Sequence, residues 1–134
     1  MNKFSIIVPT LNSYLILNCL VNSIKSQTWK KWEVIFIDGE SKEKHISYLK
    51  EICNKDERFS FHRQSESNKG IFGAMNQGIK IIDKNSWVLF LGSDDKLMNN
   101  YVLENINFKI NKLNSKDIDL LIFRGRYFDI RKDE

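Results

Sequence analysis

Proline occurs once and glycine six times in the 134 residues. That scarcity excludes collagen-like and linker-rich chains. The two cysteines, Cys19 and Cys53, form no CxxC pair and have no histidine at metal-ligand spacing, so neither a disulfide scaffold nor a structural zinc site is indicated. Both fall in apolar helical patterns, where buried, reduced thiols are expected. His45 and His62 lack acidic or cysteine neighbours at ligand spacing and are expected at the surface or at a strand edge. No apolar run approaches the roughly 20 residues that span a bilayer, so no transmembrane segment is expected. The opening MNKFSIIVPTLN has a short apolar stretch and no small-residue cleavage site, and reads as a first strand in a cytoplasmic protein. The net charge is only +4, with no basic patch interleaved with aromatics, so no nucleic-acid partner is expected.

What is present is a globular composition, 42% hydrophobic and 28% charged, at a length that suits one core. Phe4 to Val8 is a nearly continuous apolar run, as a strand buried on both faces requires, and Pro9 is expected to end it. Ile16, Leu20 and Ile24, flanked by Leu17 and Val21, describe one helix face that Asn12 or Ser13 could cap. Val34 to Ile37 is a second buried run. A weaker helical face follows at Ile46, Leu49 and Cys53, then a short strand at Phe59 to His62. Ile71, Met75, Ile79 and Ile82 predict a third helix with those residues on its apolar face. Trp87 to Leu91 is the most apolar strand. Leu103, Ile106, Ile110 and Leu113 mark a last helix, and Leu120 to Phe123 a fifth strand.

Strands alternating with helices predict an α/β fold: a mainly parallel sheet with helices on both faces, joined by right-handed crossovers. In such sheets ligands bind beyond the carboxyl ends of the strands. Three polar clusters fall there: Pro9-Thr10-Leu11-Asn12, Asp38-Gly39-Glu40-Ser41 and Ser93-Asp94-Asp95. Two adjacent carboxylates after an apolar strand repel unless a cation sits between them, and magnesium or manganese suits that place. A turn in which Ser93 or Asp94 caps the next segment accounts for the same residues. Asp38 is open to both readings as well, as an acceptor for a nucleobase or ribose or as a ligand of its own turn. Thr10 and Asn12 are ordinary turn residues taken alone. Asn68-Lys69-Gly70 opens the third helix, whose free N–H groups could hold an anion, although neither dinucleotide nor Walker glycine spacing is present. Trp29 and Trp32 are expected to pack at the opposite edge of the sheet.

Four ordered blocks carry a resemblance: FSIIVPTLNS, LVNSIKSQTWKKWEVIFIDGES, NKGIFGAMNQGIK and WVLFLGSDD. Together they resemble the N-terminal half of family-2 glycosyltransferases of the GT-A fold, within a subgroup carrying D-G-x-S and G-I-Y-D-A-M-N motifs. The resemblance covers about residues 3 to 112. It implies a nucleotide-diphosphate-sugar donor, a Mn2+ or Mg2+ ion, and transfer with inversion to a hydroxyl of a glycan or lipid-linked acceptor in polysaccharide biosynthesis. By position, Thr10 and Asn12 lie in the nucleotide loop and Asp38 where the family places acidic base-binding residues. Gly70 and Asn76 fall in the donor-pocket block, Asp94 at the donor's ribose or sugar, and Asp95 at the metal.

Three departures accompany it. Gly39 stands at the second acidic place after the second strand, and Gly73 replaces the acidic residue of the third block. Family members also continue well beyond this length, so the general base is expected past Glu134. Residues 1–123 are accordingly expected to form the donor-binding half-domain and 124–134 a charged tail. Lipid-linked acceptors would place the protein at the inner face of the membrane. The alternative is a non-catalytic nucleotide-sugar-binding or assembly module, homodimeric through the face left open. A receiver-like signalling domain would want its acidic pair after the first strand, where Pro9-Thr10-Leu11-Asn12 stands.

Overall fold

The computed structural model describes residues 2–113 and 117–127. Four strands, β1 (Phe4–Thr10), β2 (Trp32–Asp38), β3 (Phe59–Arg63) and β4 (Trp87–Phe90), alternate with α1 (Tyr14–Lys25), α2 (Glu43–Lys55), α3 (Gly70–Ile81) and α4 (Val102–Lys112). The sheet order is β3-β2-β1-β4, and every pairing is parallel. The fold is thus the expected α/β sheet with helices on both faces. β1 is its switch point, with β2 on one side and β4 on the other.

The two faces are filled differently. Phe4, Ile6 and Val8 of β1 and Trp32, Val34 and Phe36 of β2 point to one side, where α1 supplies Leu17, Leu20, Val21 and Ile24 and α4 supplies Leu103, Ile106 and Ile110. The opposite face carries Ile7, Ile35 and Ile37 under Ala74 of α3. α3 approaches through small residues: a Cβ on Gly78 would stand 2.6 Å from Ile7 Cγ2. This corrects the expected apolar face of α3. Ala74 and Gly78 are buried, while Ile71 and Ile79 are exposed. Branched strand residues already fill the interlayer space, so only small helix residues fit against them.

Other expectations are corrected too. β1 runs through Pro9 to Thr10, with Pro9 opposite Ile37. Residues of β1 alternate partners: Ile7 O accepts from Leu91 N on the β4 side and Thr10 O accepts from Gly39 N on the β2 side. Pro9 therefore faces the β4 side, where pairing has ended at Phe90 opposite Ile7, and its missing N–H interrupts nothing. Leu120 to Phe123 forms no strand. Leu121 packs on the core while Leu120, Ile122 and Phe123 are exposed; an apolar run alone supplies neither a strand nor its burial. Cys19 is exposed, because it lies about 200° around α1 from the buried Leu17. Cys53 is half-buried. His45 is fully buried on α2, against expectation, whereas His62 lies on the edge strand β3 as expected. Trp32 at the start of β2 is buried with Arg58 stacked 3.7 Å over its ring, at the edge opposite the polar loops.

Candidate functional site

Parallel strands bring all three polar clusters to one edge. Thr10 ends β1 at the centre, Asp38 ends β2, and Gly92 to Asp95 follow β4 on the other flank. With strands about 4.8 Å apart, the Asp38 and Asp94–Asp95 loops stand about 10 Å apart across β1.

The β1 and β2 loops form one hydrogen-bonded unit. Asp38 is 1% exposed. Its Oδ1 accepts from Thr10 Oγ1 at 2.9 Å and from Ser41 Oγ at 2.6 Å, and its Oδ2 accepts from Ser41 N at 2.8 Å. Ser41 Oγ in turn accepts from Asn12 N at 2.8 Å, and Asn12 Oδ1 accepts from Lys42 N at 2.7 Å. Asn12 thereby satisfies a backbone donor where α2 begins, from another loop, and does so at φ 48°, a conformation asparagine tolerates. Below this unit His45 Nε2 lies 3.3 Å from Asp38 Oδ1, off the line of a hydrogen bond. Neither ring nitrogen has a hydrogen-bond partner among the described residues. Burial holds the His45 pKa below 6.5, outweighing the attraction of Asp38.

A cleft of about 500 Å³ opens beside this unit, lined by Gly39, Glu40, Gln64, Ser65, Lys69 and Gly70 among others. Gln64 shapes it. Its backbone N–H donates to Asp38 O at 2.7 Å, and its side-chain amide donates to Asn68 O and to Gly70 O. Gly70 opens α3 with φ +73°, which glycine alone adopts without cost. At the cleft's rim Arg63 pairs with Glu40 at 3.0 Å. On the far flank, Asp94 and Asp95 are exposed, and Asp95 Oδ2 accepts from Gly92 N at 2.6 Å. Asp95 also borders a larger cleft of about 720 Å³ between β4, α4 and residues 123–127.

Of the residues expected at the site, Thr10 and Asp38 are joined directly, Asn12 is joined to them through Ser41, and Gly70 borders the adjoining cleft. Asp94 and Asp95 share the same edge. Asn76 stands apart, exposed and about 9 Å along α3 from Gly70. Ser41 lies in the expected polar cluster after β2, whereas His45 is expected at the surface and Gln64 carries no expectation. The signal for Gln64 was its place immediately after a strand; His45 gave none.

The donor set at Asp94–Asp95 suits a hard divalent cation, being oxygen-only with two carboxylates. Among the described residues no three acidic, histidine or cysteine side chains gather to cage a metal. An ion there would complete its shell with water or phosphate oxygens, as magnesium-type sites do. The residues present fit such an ion as a partner of a bound phosphate.

Known proteins share this architecture. The chain is 37% identical over 95 residues to the PGL/p-HBAD biosynthesis glycosyltransferase of Mycobacterium tuberculosis, covering 70% of this chain and 36% of that one. It is 31% identical over 98 residues to the GalNAc(5)-diNAcBac-PP-undecaprenol beta-1,3-glucosyltransferase of Campylobacter jejuni, covering 73% and 31%. The structure of S. aureus TarS 1-349 in complex with UDP-GlcNAc superposes with a TM-score of 0.73 at 28% identity, covering 82% of this chain and 31% of that one. The chain thus spans about a third of the length of the relatives it matches. The sequence profile named Glycosyl transferase family 2 matches residues 5–125, and the chain belongs to that family.

Proposed function

We propose that this chain is the donor-binding part of a glycosyltransferase that moves a sugar from a nucleotide diphosphate to an acceptor hydroxyl with inversion. The observation that carries the reading is the shared edge: the Thr10–Asp38–Ser41 unit and the Asp94–Asp95 pair flank β1 at its carboxyl end, at a topological switch point. The cleft between Gly39–Glu40 and Gln64–Gly70 takes the nucleobase. Asp38, buried and engaged by Thr10 and Ser41, acts by fixing the loop that forms the cleft's wall. Asp94 would contact the ribose or sugar, and Asp95 would hold Mn2+ or Mg2+, whose charge would offset that of the diphosphate. A bound cation would neutralise charge developing on the leaving diphosphate. The acceptor hydroxyl requires a base to take its proton.

The name of the Campylobacter relative includes an undecaprenol-linked glycan, which supports a lipid-linked glycan acceptor for this chain. The chain would then meet its acceptor at a membrane surface, since no described helix is long and apolar enough to cross one.

Calorimetric titration with UDP, GDP and dTDP, each with and without Mn2+, tests the reading on the wild type and on Asp95→Ala. The expected result is binding of one nucleotide that Mn2+ strengthens in the wild type and not in the variant. A chain that binds none of them, or binds equally well with and without the ion, overturns it.

A further inference from the structure

The acidic turn is anchored from an unexpected quarter. From Leu91 to Tyr101 the chain has no helix or strand. Two adjacent carboxylates on such a segment repel each other and would favour a spread of loop conformations. The C-terminal part of α1 and the residues just after it restrain it. Ser23 Oγ accepts from Leu97 N at 3.0 Å, two residues past Asp95, and donates to Leu20 O at 2.7 Å. Gln27 is 0% exposed and uses its whole amide: Nε2 donates to Asn99 O at 2.6 Å and to Ser23 O at 3.0 Å, while Oε1 accepts from Leu103 N at 3.0 Å. Thr28 N adds a bond to Asn100 O at 2.8 Å. A buried amide is costly unless its donors and acceptor are all engaged, and here they tie α1 at Ser23 O to the loop after Asp95 at Asn99 O and to the first turn of α4 at Leu103 N.

We propose that Ser23 and Gln27 are positioning residues for the Asp94–Asp95 pair. They fix the backbone from Leu97 to Leu103, so that both carboxylates stand at the β1–β4 mouth before any ligand arrives. Neither side chain touches the ligand; both act through the loop. The inference rests on the proposed cation-assisted binding of a diphosphate, and explains why a serine and a glutamine four residues apart stand at the end of α1 facing the loop.

The test uses the 134-residue chain with Ser23→Ala, Gln27→Met and the hydroxyl-retaining Ser23→Thr. Far-UV circular dichroism checks that each folds. Two quantities are read: amide hydrogen exchange at Leu97 and Leu103, and the gain in UDP affinity on adding Mn2+. Ser23→Ala and Gln27→Met are expected to speed exchange at their respective partner amides. Each should reduce the Mn2+-dependent gain about tenfold, the size usual when a residue supporting a metal ligand is lost. UDP affinity without metal should stay within about twofold, and Ser23→Thr should restore both readouts. Faster exchange with an undiminished Mn2+ gain overturns the inference alone. A wild type with no Mn2+ gain for any nucleotide overturns the cation reading and this inference with it. If Gln27→Met fails to fold, the Ser23 pair decides the question.

Discussion

Thr10 and Ser41 donate their hydroxyl protons to the same oxygen, Asp38 Oδ1, at 2.9 and 2.6 Å, one from the end of β1 and the other from the loop after β2. That oxygen is shut from water, so the two hydroxyls are its solvent. Losing one leaves it partly satisfied; losing both leaves a dry carboxylate oxygen with only the imidazole of His45 nearby.

Thr10→Val and Ser41→Ala are therefore expected to be non-additive. Each alone should cost about 1 kcal/mol of unfolding free energy, and the pair should cost more than the sum by about 1 kcal/mol. Urea unfolding of the wild type, both single variants and the double variant checks it. Additive costs would mean that Asp38 is solvated from elsewhere.

Gly73 carries a sharper expectation, because the family-like motif would have an acidic residue there. A Cβ at Gly73 would run into the backbone carbonyl of Asn68. The turn before α3 is folded over that spot by Gln64, which binds both Asn68 O and Gly70 O. Gly73→Asp should therefore destabilise by about 1–3 kcal/mol, the usual cost of forcing atoms into filled space. Gly78→Ala should do likewise through Ile7, opposite in sign to the gain of up to about 1 kcal/mol that Gly→Ala gives in an open helix. Thermal or urea unfolding of both variants decides the matter.

These positions show what could be read from the sequence and what could not. Alternating apolar runs announced four strands, four helices and the edge at which Thr10, Asp38 and Asp95 meet, because burial on two faces leaves an unbroken apolar signature. The buried side of α3 was misread, since the spacing of Ile71 and Ile79 describes an apolar stripe, whereas contact with Ile7 demands small residues. Likewise the acidity of Asp38 was visible but not its burial. That depends on Thr10, 28 residues away in the chain, and on His45, whose polarity gave no sign of an interior place. The hold of Gln27 on Asn99, 72 residues distant, is equally a product of topology.

The thiols should separate chemically. Cys53 is half-buried, and burial pushes its pKa up to about 11. Its thiolate is scarce at pH 8, and the thiolate is the reactive species. Cys19 is exposed on α1. Treatment of the native chain with a thiol-exchange reagent at pH 8 should label Cys19 quickly and Cys53 only on unfolding. Loss of the fast phase in Cys19→Ser confirms the assignment; equal rates would contradict the burial of Cys53.

His45 sets a pH dependence whose sign follows from linkage. Its folded pKa lies below 6.5, so between that value and about 6.5 the unfolded chain binds the proton that the folded chain refuses. Stability is then full above pH 6.5 and falls as the pH drops through 6.5 towards the folded value. The carboxylate of Asp56, held low chiefly by its hydrogen bond from Arg58, contributes stability that is lost only at lower pH. Urea unfolding at pH 7.5 and 5.5 should show a larger loss for the wild type than for His45→Gln, which has no proton to gain. The attraction of Asp38 Oδ1 for the imidazolium opposes the burial penalty, so the loss is smaller than burial alone would give. Parallel pH profiles for the two chains would show that the imidazole beneath Asp38 does not set this part of the pH dependence.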